Sequence, residues 1–300
     1  MKTLIAIATY NGEKYISNCL NSIPNSPDVQ IYIFDNNSTD STLQLIKQSK
    51  KNITLIESDV NLGFGGANNE MINYAIINKF DFIFLMNQDT YFLKNCLENL
   101  LSIAQTKEEL YIYSPLHLAS DGKTLDQNFA NYIEDLNLDS KHSFEAAFVN
   151  AAAWLIPIKT LKKVGGFCPD FFHYGEDRNY AQRLKYFGGQ FLIIPQAKLI
   201  HDRTVTSYTE LAAIDLMKFK QRIRVYLKCF ILDVNSNGIV SFLTTTKTLL
   251  GLIKNNLFSL SPLSILKIIQ AYFEVVLRIR TNYKTRSACK RIGAYSIIDV

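Results

Sequence analysis

Four short apolar runs in the first hundred residues, each followed at once by a polar or glycine-rich segment, constrain this chain more than any other feature. The runs cover residues 3–8, 30–34, 53–57 and 82–86, with amphipathic stretches between them at 13–23, 41–49 and 67–78. Such alternation predicts strand–helix units in an α/β, doubly wound, mostly parallel sheet. Asp40 or Ser38 is placed to cap the second helix, and a glycine loop precedes the third.

Ligands of sheets of this kind sit outside the carboxyl ends of the strands. The segments that leave those ends are Thr9-Tyr10-Asn11, Asp35-Asn36-Asn37-Ser38, residues 61–69 and Asn87-Gln88-Asp89-Thr90. All four are small, polar or glycine-rich, which predicts one shared pocket. Beyond them, residues 105–145 are weakly patterned, with a turn signal at Asp121-Gly122 and an acidic stretch at 134–139, and read as a variable loop region over the pocket. Order returns with a β-leaning run at 144–156 around Trp154, then 161–172, an amphipathic stretch at 176–187, and strand-like runs at 190–194 and 197–200.

The polar segments suggest a reaction. An enzyme that transfers an activated sugar must neutralise charge that builds on the leaving diphosphate, and a divalent cation held by a carboxylate does this. Asp89, at the end of the most apolar run, is placed to hold Mg²⁺ or Mn²⁺, with Asn87 on the same side if the chain stays extended. The alternative for Asn87-Gln88-Asp89 is the N-cap of a helix over 91–104. Gly63-Phe64-Gly65-Gly66 would let backbone N–H groups, with Asn68 and Asn69, approach phosphates or sugar.

Together, Ala8-Thr9-Tyr10-Asn11, residues 35–40, residues 61–69 and Asn87-Gln88-Asp89 resemble the ordered motifs of family 2 glycosyltransferases with the GT-A fold, in the flavour of the bacterial rhamnosyltransferase-like group. The resemblance covers roughly residues 3–208. It implies inverting transfer from a nucleoside diphosphate sugar, dTDP- or UDP-linked, to a glycan or lipid-linked acceptor. By position it implies that Thr9, Tyr10, Asn11, Asp35, Asn36 and Gln88 hold the nucleoside, Asp35 alternatively being only a turn-forming residue. Gly65 and Asn68 fall beside the donor.

The second acidic motif, ending in Gly175-Glu176-Asp177, resembles the family's Glu-Asp signature. It makes Asp177 the general base, drawing the proton from an acceptor hydroxyl as that attacks an oxocarbenium-like carbon. Ordinary carboxylate acidity suffices for that role. Glu176 either assists or is a helix N-terminal acid stabilised by the helix dipole. The acid usual two residues after the pair is here Asn179. His201 matches a histidine that completes the metal site in some relatives, and Arg203 is placed to meet the diphosphate.

Charge divides the chain: residues 1–202 carry 17 Lys/Arg against 22 Asp/Glu, and residues 203–300 carry 15 against 5. This predicts a catalytic domain over 1–208, with a nucleotide-sugar half (1–104) and an acceptor half (105–208), and a basic amphipathic helical C-terminal region (209–300). In the latter, Lys267, Gln270, Glu274 and Arg278 fall on one narrow helical face, and six cations follow within 278–291 with no acid. An anionic membrane surface is the expected partner. Packing against the catalytic domain or a second copy is the alternative. No recognised module supports nucleic-acid binding.

Five scattered cysteines without a CxxC pair fit neither a disulfide framework nor a zinc site. The apolar run at 4–8 is too short for a signal peptide, so the expected location is cytoplasmic, peripheral on the inner face of a bacterial plasma membrane. Two competing functions remain at this stage. A nucleotidyltransferase would carry a basic glycine-rich signature near residues 8–11, and a catalytically weak glycan-binding protein of the same fold would bind donor without turnover.

Overall fold

The computed structural model describes residues 1–107, 109–133, 142–203, 208–256 and 260–296. The four apolar runs form β1 (Thr3–Thr9), β2 (Val29–Asp35), β3 (Ile53–Glu57) and β4 (Phe82–Asn87). They pair in parallel in the order β3-β2-β1-β4. Successive residues point to opposite faces of the sheet. Ile5, Ile7, Ile33 and Phe84 therefore join one core, while Leu4, Ala6, Phe34 and Leu85 join the other. With both faces covered, the strands read as continuous apolar runs.

The intervening helices are α1 (Ile16–Ser22), α2 (Thr42–Gln48) and α3 (Gly63–Ile77). The third begins earlier than expected: Gly63-Phe64-Gly65-Gly66 is the first turn of α3, not a loop ahead of it. A further difference follows β4. Thr90–Phe92 forms a short strand, β5, and α4 (Cys96–Ala104) starts only after Asn95, so Asn87-Gln88-Asp89 is not the N-cap of a helix over 91–104. The strand also ends at Asn87, with residues 88–89 in a turn. The alternation that would put Asn87 and Asp89 on one side is broken there.

The weakly patterned region holds β6 (Tyr111–Leu118), α5 (Gln127–Ala130) and β7 (Phe144–Ala146). β6 is a central strand with Ile112 and Tyr113 fully buried, so this part of 105–145 is core rather than a covering loop. Its Ser114, Pro115 and His117 hid the period-two pattern. The Asp121-Gly122 turn forms, with the Asp121 carboxylate accepting from the Lys123 and Thr124 N–H groups and Gly122 at φ 64°. The acidic stretch at 134–139 lies outside the described residues.

β8 (Ala153–Pro157) runs antiparallel to β4 and β6, and β9 (Gln190–His201) unites the two strand-like runs into one strand parallel to β6. β5 and β7 pair antiparallel with opposite ends of β9. The sheet is thus parallel on its β1–β4 side and mixed beyond, in order β3-β2-β1-β4-β8-β6-β9-β5. Trp154 of β8 is fully buried among Phe167, Tyr180 and Phe191. It joins the sheet to α6 (Ile158–Val164) and α7 (Glu176–Tyr186).

The C-terminal helices are α8 (Tyr208–Ile214), α9 (Leu216–Ile231), α10 (Gly238–Asn256), α11 (Pro262–Val276) and α12 (Ile279–Cys289). Phe219, Ile223 and Leu227 of α9 pack with Ile268, Ala271 and Val275 of α11 in a third core that also takes in Cys168 and Phe171. One apolar face is therefore buried within the protein. Glu274 is not a free polar position: it pairs with Lys220 at 2.5 Å and Arg224 at 3.5 Å, crosslinking α9 and α11. Leu263, Leu266, Phe273 and Leu277 form a second, exposed stripe on α11 and the residue after it. Among the described residues no helix is long and apolar enough to cross a membrane.

Candidate active site

The loops after β1, β2 and β4 are tied into one unit. The buried Asp35 carboxylate accepts from the Thr9 hydroxyl (2.7 Å), the Ser38 hydroxyl (2.6 Å) and the Ser38 N–H (2.8 Å). It thereby forms the turn after β2. Asn36 accepts from the Leu62 N–H at 3.0 Å, fixing the approach to α3. The Asn11 amide oxygen accepts from the Thr39 N–H at 2.9 Å, with Asn11 itself at φ 47°. Tyr10 is left half exposed on this platform.

Three residues expected beside the donor make contacts within the protein. Gln88 accepts from the Tyr10 N–H at 3.1 Å and donates to the Tyr10 carbonyl at 3.0 Å, so both ends of its amide brace the Tyr10 backbone. Gly65 is buried where an added Cβ would sit 3.1 Å from Phe167 and 3.8 Å from Glu176, so it allows α3 to pack closely on the loop ahead of α7. Asn68 is buried and donates back to the Phe64 carbonyl at 2.9 Å, within its own helix. Its neighbour Asn69 clamps Phe167, donating to the carbonyl (2.9 Å) and accepting from the N–H (2.6 Å).

Pairing of β5 with β9 sets Thr90 opposite His201 and brings Asp89 beside it. The Asp202 N–H donates to the Asp89 carbonyl at 2.8 Å, holding the two segments together. His201 Nε2 and Asp89 Oδ1 face one another at 3.6 Å, beyond hydrogen-bond distance, and Asp89 Oδ1 is buried without a hydrogen-bond partner. A buried, unpartnered carboxylate oxygen facing an imidazole nitrogen fits a divalent cation. Among the described residues no group of three or more His, Cys, Asp or Glu side chains that could hold a metal ion occurs. Asn87 contributes its backbone, its carbonyl accepting from the Thr90 hydroxyl at 2.7 Å.

Behind His201 stands Asp126, hidden in the weakly patterned region. His201 Nδ1 faces Asp126 Oδ2 at 3.9 Å, and Arg203 donates to both Asp126 oxygens, at 3.0 and 2.8 Å. Arg203 is thus engaged by a carboxylate rather than aimed freely at a diphosphate. Burial acts to raise Asp126, but the Arg203 hydrogen bonds and charge and the Phe129 N–H outweigh it and hold the carboxyl below its ordinary range. A carboxylate behind a metal-ligating histidine orients the ring. The Asp126 to Phe129 spacing, in which Asp126 accepts from two N–H groups and caps α5, was the signal available in the sequence.

Glu176 and Asp177 open α7 behind Tyr174 (φ 70°) and Gly175 (φ 82°). Glu176 is almost fully buried, with Oε2 unpartnered. Burial, and then the neighbouring Asp177 charge, push Glu176 well above its ordinary 4.5. Burial also raises Asp177, against the opposing pull of the Arg178 N–H, the Arg178 charge and the Ala151 N–H. The helix N-terminus does not win, and ordinary acidity does not describe either group.

An aromatic path connects the two acidic centres. His117 lies edge-on to His201 (5.9 Å) and stacks on Phe129 (4.5 Å), followed by Tyr132 and Phe148, with the Arg178 guanidinium 5.2 Å over Phe148. Burial raises the Tyr132 phenol, and the charges of Asp177, Arg203, Arg178 and Asp126 all act on it. The carboxylate–histidine pair and the Glu-Asp pair thus border one region.

A parallel β1–β4 sheet, loops tied together at its carboxyl ends, and a carboxylate–histidine pair define an α/β protein with its candidate site at the ends of the parallel strands. The sequence model of glycosyl transferase family 2 matches residues 4–154, and the chain belongs to that family. A poly(ribitol-phosphate) beta-glucosyltransferase of Bacillus spizizenii is 39% identical over 99 residues, covering 30% of this chain and 15% of that protein. The N-acetylglucosaminyl-diphospho-decaprenol L-rhamnosyltransferase of Mycobacterium tuberculosis is 23% identical over 235 residues, 66% of this chain and 75% of that protein. The crystal structure of S. aureus TarS 1-349 in complex with UDP-GlcNAc aligns with TM-score 0.60 at 16% identity, covering 99% of this chain and 89% of that one. The mannosyltransferase PcManGT from Pyrobaculum calidifontis, in complex with GDP-Man and Mn²⁺, aligns with TM-score 0.57 at 15% identity, covering 96% and 73%. The chain has the GT-A architecture of these neighbours, and it matches only a small part of the ribitol-phosphate transferase's length.

Proposed function

We propose that this chain is a metal-dependent inverting glycosyltransferase that moves a hexosyl or deoxyhexosyl group, rhamnose among the candidates, from a dTDP- or UDP-linked donor to a glycan or lipid-linked acceptor in surface polysaccharide synthesis. The observation that carries this reading is the unpartnered Asp89 Oδ1 facing His201 Nε2 across 3.6 Å.

A divalent cation held by Asp89 and His201 would supply charge neutralisation for the leaving diphosphate. Asp126 stands 3.9 Å behind the unpartnered Nδ1 of His201 and holds Arg203. Thr9, Asp35, Asn36 and Gln88 shape the loops that receive the nucleoside, and Tyr10 offers an exposed ring to it. Asp177 takes the acceptor hydroxyl's proton as the new glycosidic bond forms and the bond to the diphosphate breaks, inverting the anomeric carbon. Glu176, pushed above its ordinary range by burial and then by the neighbouring Asp177 charge, lies beside the base.

The division into a catalytic domain over 1–208 and a helical region over 209–300 belongs to the same proposal, as does peripheral contact with a membrane through the exposed stripe Leu263, Leu266, Phe273 and Leu277. The function is tested by thermal shift across dTDP-, UDP- and GDP-sugars with Mn²⁺, Mg²⁺ or EDTA. Stabilisation by one donor class that EDTA abolishes and Asp89→Asn weakens is expected. Donor binding indifferent to metal and to both substitutions, Asp89→Asn and His201→Ala, would remove the metal assignment.

A further inference from the structure

Beside the Glu-Asp pair, the segment at 169–174 and helices α9, α11 and α12 enclose a cleft of about 810 Å³. Five cations line it: Lys218, Arg222, Arg224, Lys228 and Arg278, against two acids, Asp170 and Glu274. Both acids are already engaged. Glu274 pairs with Lys220 and Arg224, and Asp170 accepts from the Thr285 hydroxyl. Five cations against two acids leave an excess of positive charge at the lining, even with Arg224 paired to Glu274 and Lys218 standing 3.6 Å from Asp215, in walls that are partly apolar, where a charge-assisted contact is strong.

The cleft is physically continuous with the base motif. Arg222 donates to the Tyr174 hydroxyl at 3.2 Å and lies 4.8 Å over its ring. Val225, in the same wall, stands so close to Gly175 that a Cβ there would lie 2.7 Å from it, and Glu176 and Asp177 follow immediately. Phe172 and Tyr174 are exposed at the rim. Lys228 donates to the Asp170 carbonyl at 2.6 Å and lies 5.1 Å over the Phe171 ring, and burial pulls it below its ordinary range.

We propose that this cleft is the anion subsite of the acceptor, binding the diphosphate or phosphodiester group of a phosphate-bearing acceptor whose sugar hydroxyl is then presented to Asp177. The inference deepens the glycosyltransferase reading and rests on it for the word acceptor. The volume is ample for a diphosphate with an attached sugar, within the range of ordinary small-ligand sites. Four of the cations lie along α9 and the fifth, Arg278, caps the start of α12, so the two elements turn their positive charge toward one space.

The test uses the full chain with its nucleotide site saturated by whichever nucleoside diphosphate gives the largest thermal shift. Isothermal titration with inorganic pyrophosphate should then show a further binding event that weakens with salt. The double substitution Lys218→Gln with Arg278→Gln should weaken it about tenfold or more, leave nucleotide binding and melting temperature unchanged, and be rescued in part by Arg278→Lys. A glycerol-phosphodiester oligomer and a short-chain prenyl diphosphate, competed against pyrophosphate, distinguish the polymer from the lipid-linked source. No further event, an event insensitive to the double substitution, or a loss confined to binding of phosphatidylglycerol vesicles would each overturn the proposal. None of these readouts involves sugar transfer, so their failure leaves the glycosyltransferase reading standing, and loss of that reading through the donor screen leaves an anion site without an acceptor.

Discussion

At the scale of single residues, the environment of Asp177 decides how the site responds to pH. A base must be ionised, and burial raises Asp177 above its ordinary 3.8, so transfer is expected to fall on acidification through a pH higher than an exposed aspartate would give. A kcat–pH profile checks this. Glu176 imposes a second pH dependence, on stability. Its folded-state affinity for a proton exceeds that of the unfolded chain, so the protonated form favours folding below about pH 4.5, and this stability is lost as pH rises through the elevated folded value. Denaturant unfolding across that window should show the decline, and Glu176→Gln should flatten it. His201→Ala should raise the metal concentration needed for half-maximal activity by about 10–100-fold, with Asp126→Asn producing a weaker shift of the same sign.

At the scale of elements, α7 is positioned from several sides. Gly175 occupies a left-handed φ of 82° against Val225, Cys229 and Phe171, so Gly175→Ala is both strained and crowded and should cost about 1–3 kcal/mol and displace the base, read as a lower melting temperature together with a lower kcat. Arg183 of the same helix is fully buried and donates to the carbonyls of Val164, Gly166 and Ala294. Arg183→Met should cost about 1–3 kcal/mol for each carbonyl left without a partner, measured by denaturant unfolding. What the sequence made legible at this scale was the parallel half of the sheet, because strands buried on both faces are continuous apolar runs. β6 was hidden by Ser114, Pro115 and His117. β5 and Asp126 were hidden because their roles come from pairing with β9 and bonding to Arg203, contacts distant in the chain that no local pattern records. The glycine segment was read as a loop because glycines that permit close helix packing look like glycines of a loop. Gly65 is the first kind.

At the scale of the whole molecule, the charge asymmetry acquires a structure. The acidic front supplies the carboxylates of the two centres, while the basic helices bury one apolar face against Phe171 and Cys168 and direct five cations into a cleft beside the base. The remaining exposed stripe on α11 predicts flotation with phosphatidylglycerol vesicles that Leu266→Glu with Phe273→Glu abolishes; flotation unchanged by that pair would place membrane contact elsewhere. The central claim is that one general base faces a donor site that forms without it. It is tested most directly by the transfer rate of Asp177→Asn at saturating donor, with donor affinity measured alongside. The account predicts a fall of about 10²–10⁴-fold in kcat with donor binding nearly unchanged, and turnover close to that of the wild type would contradict it.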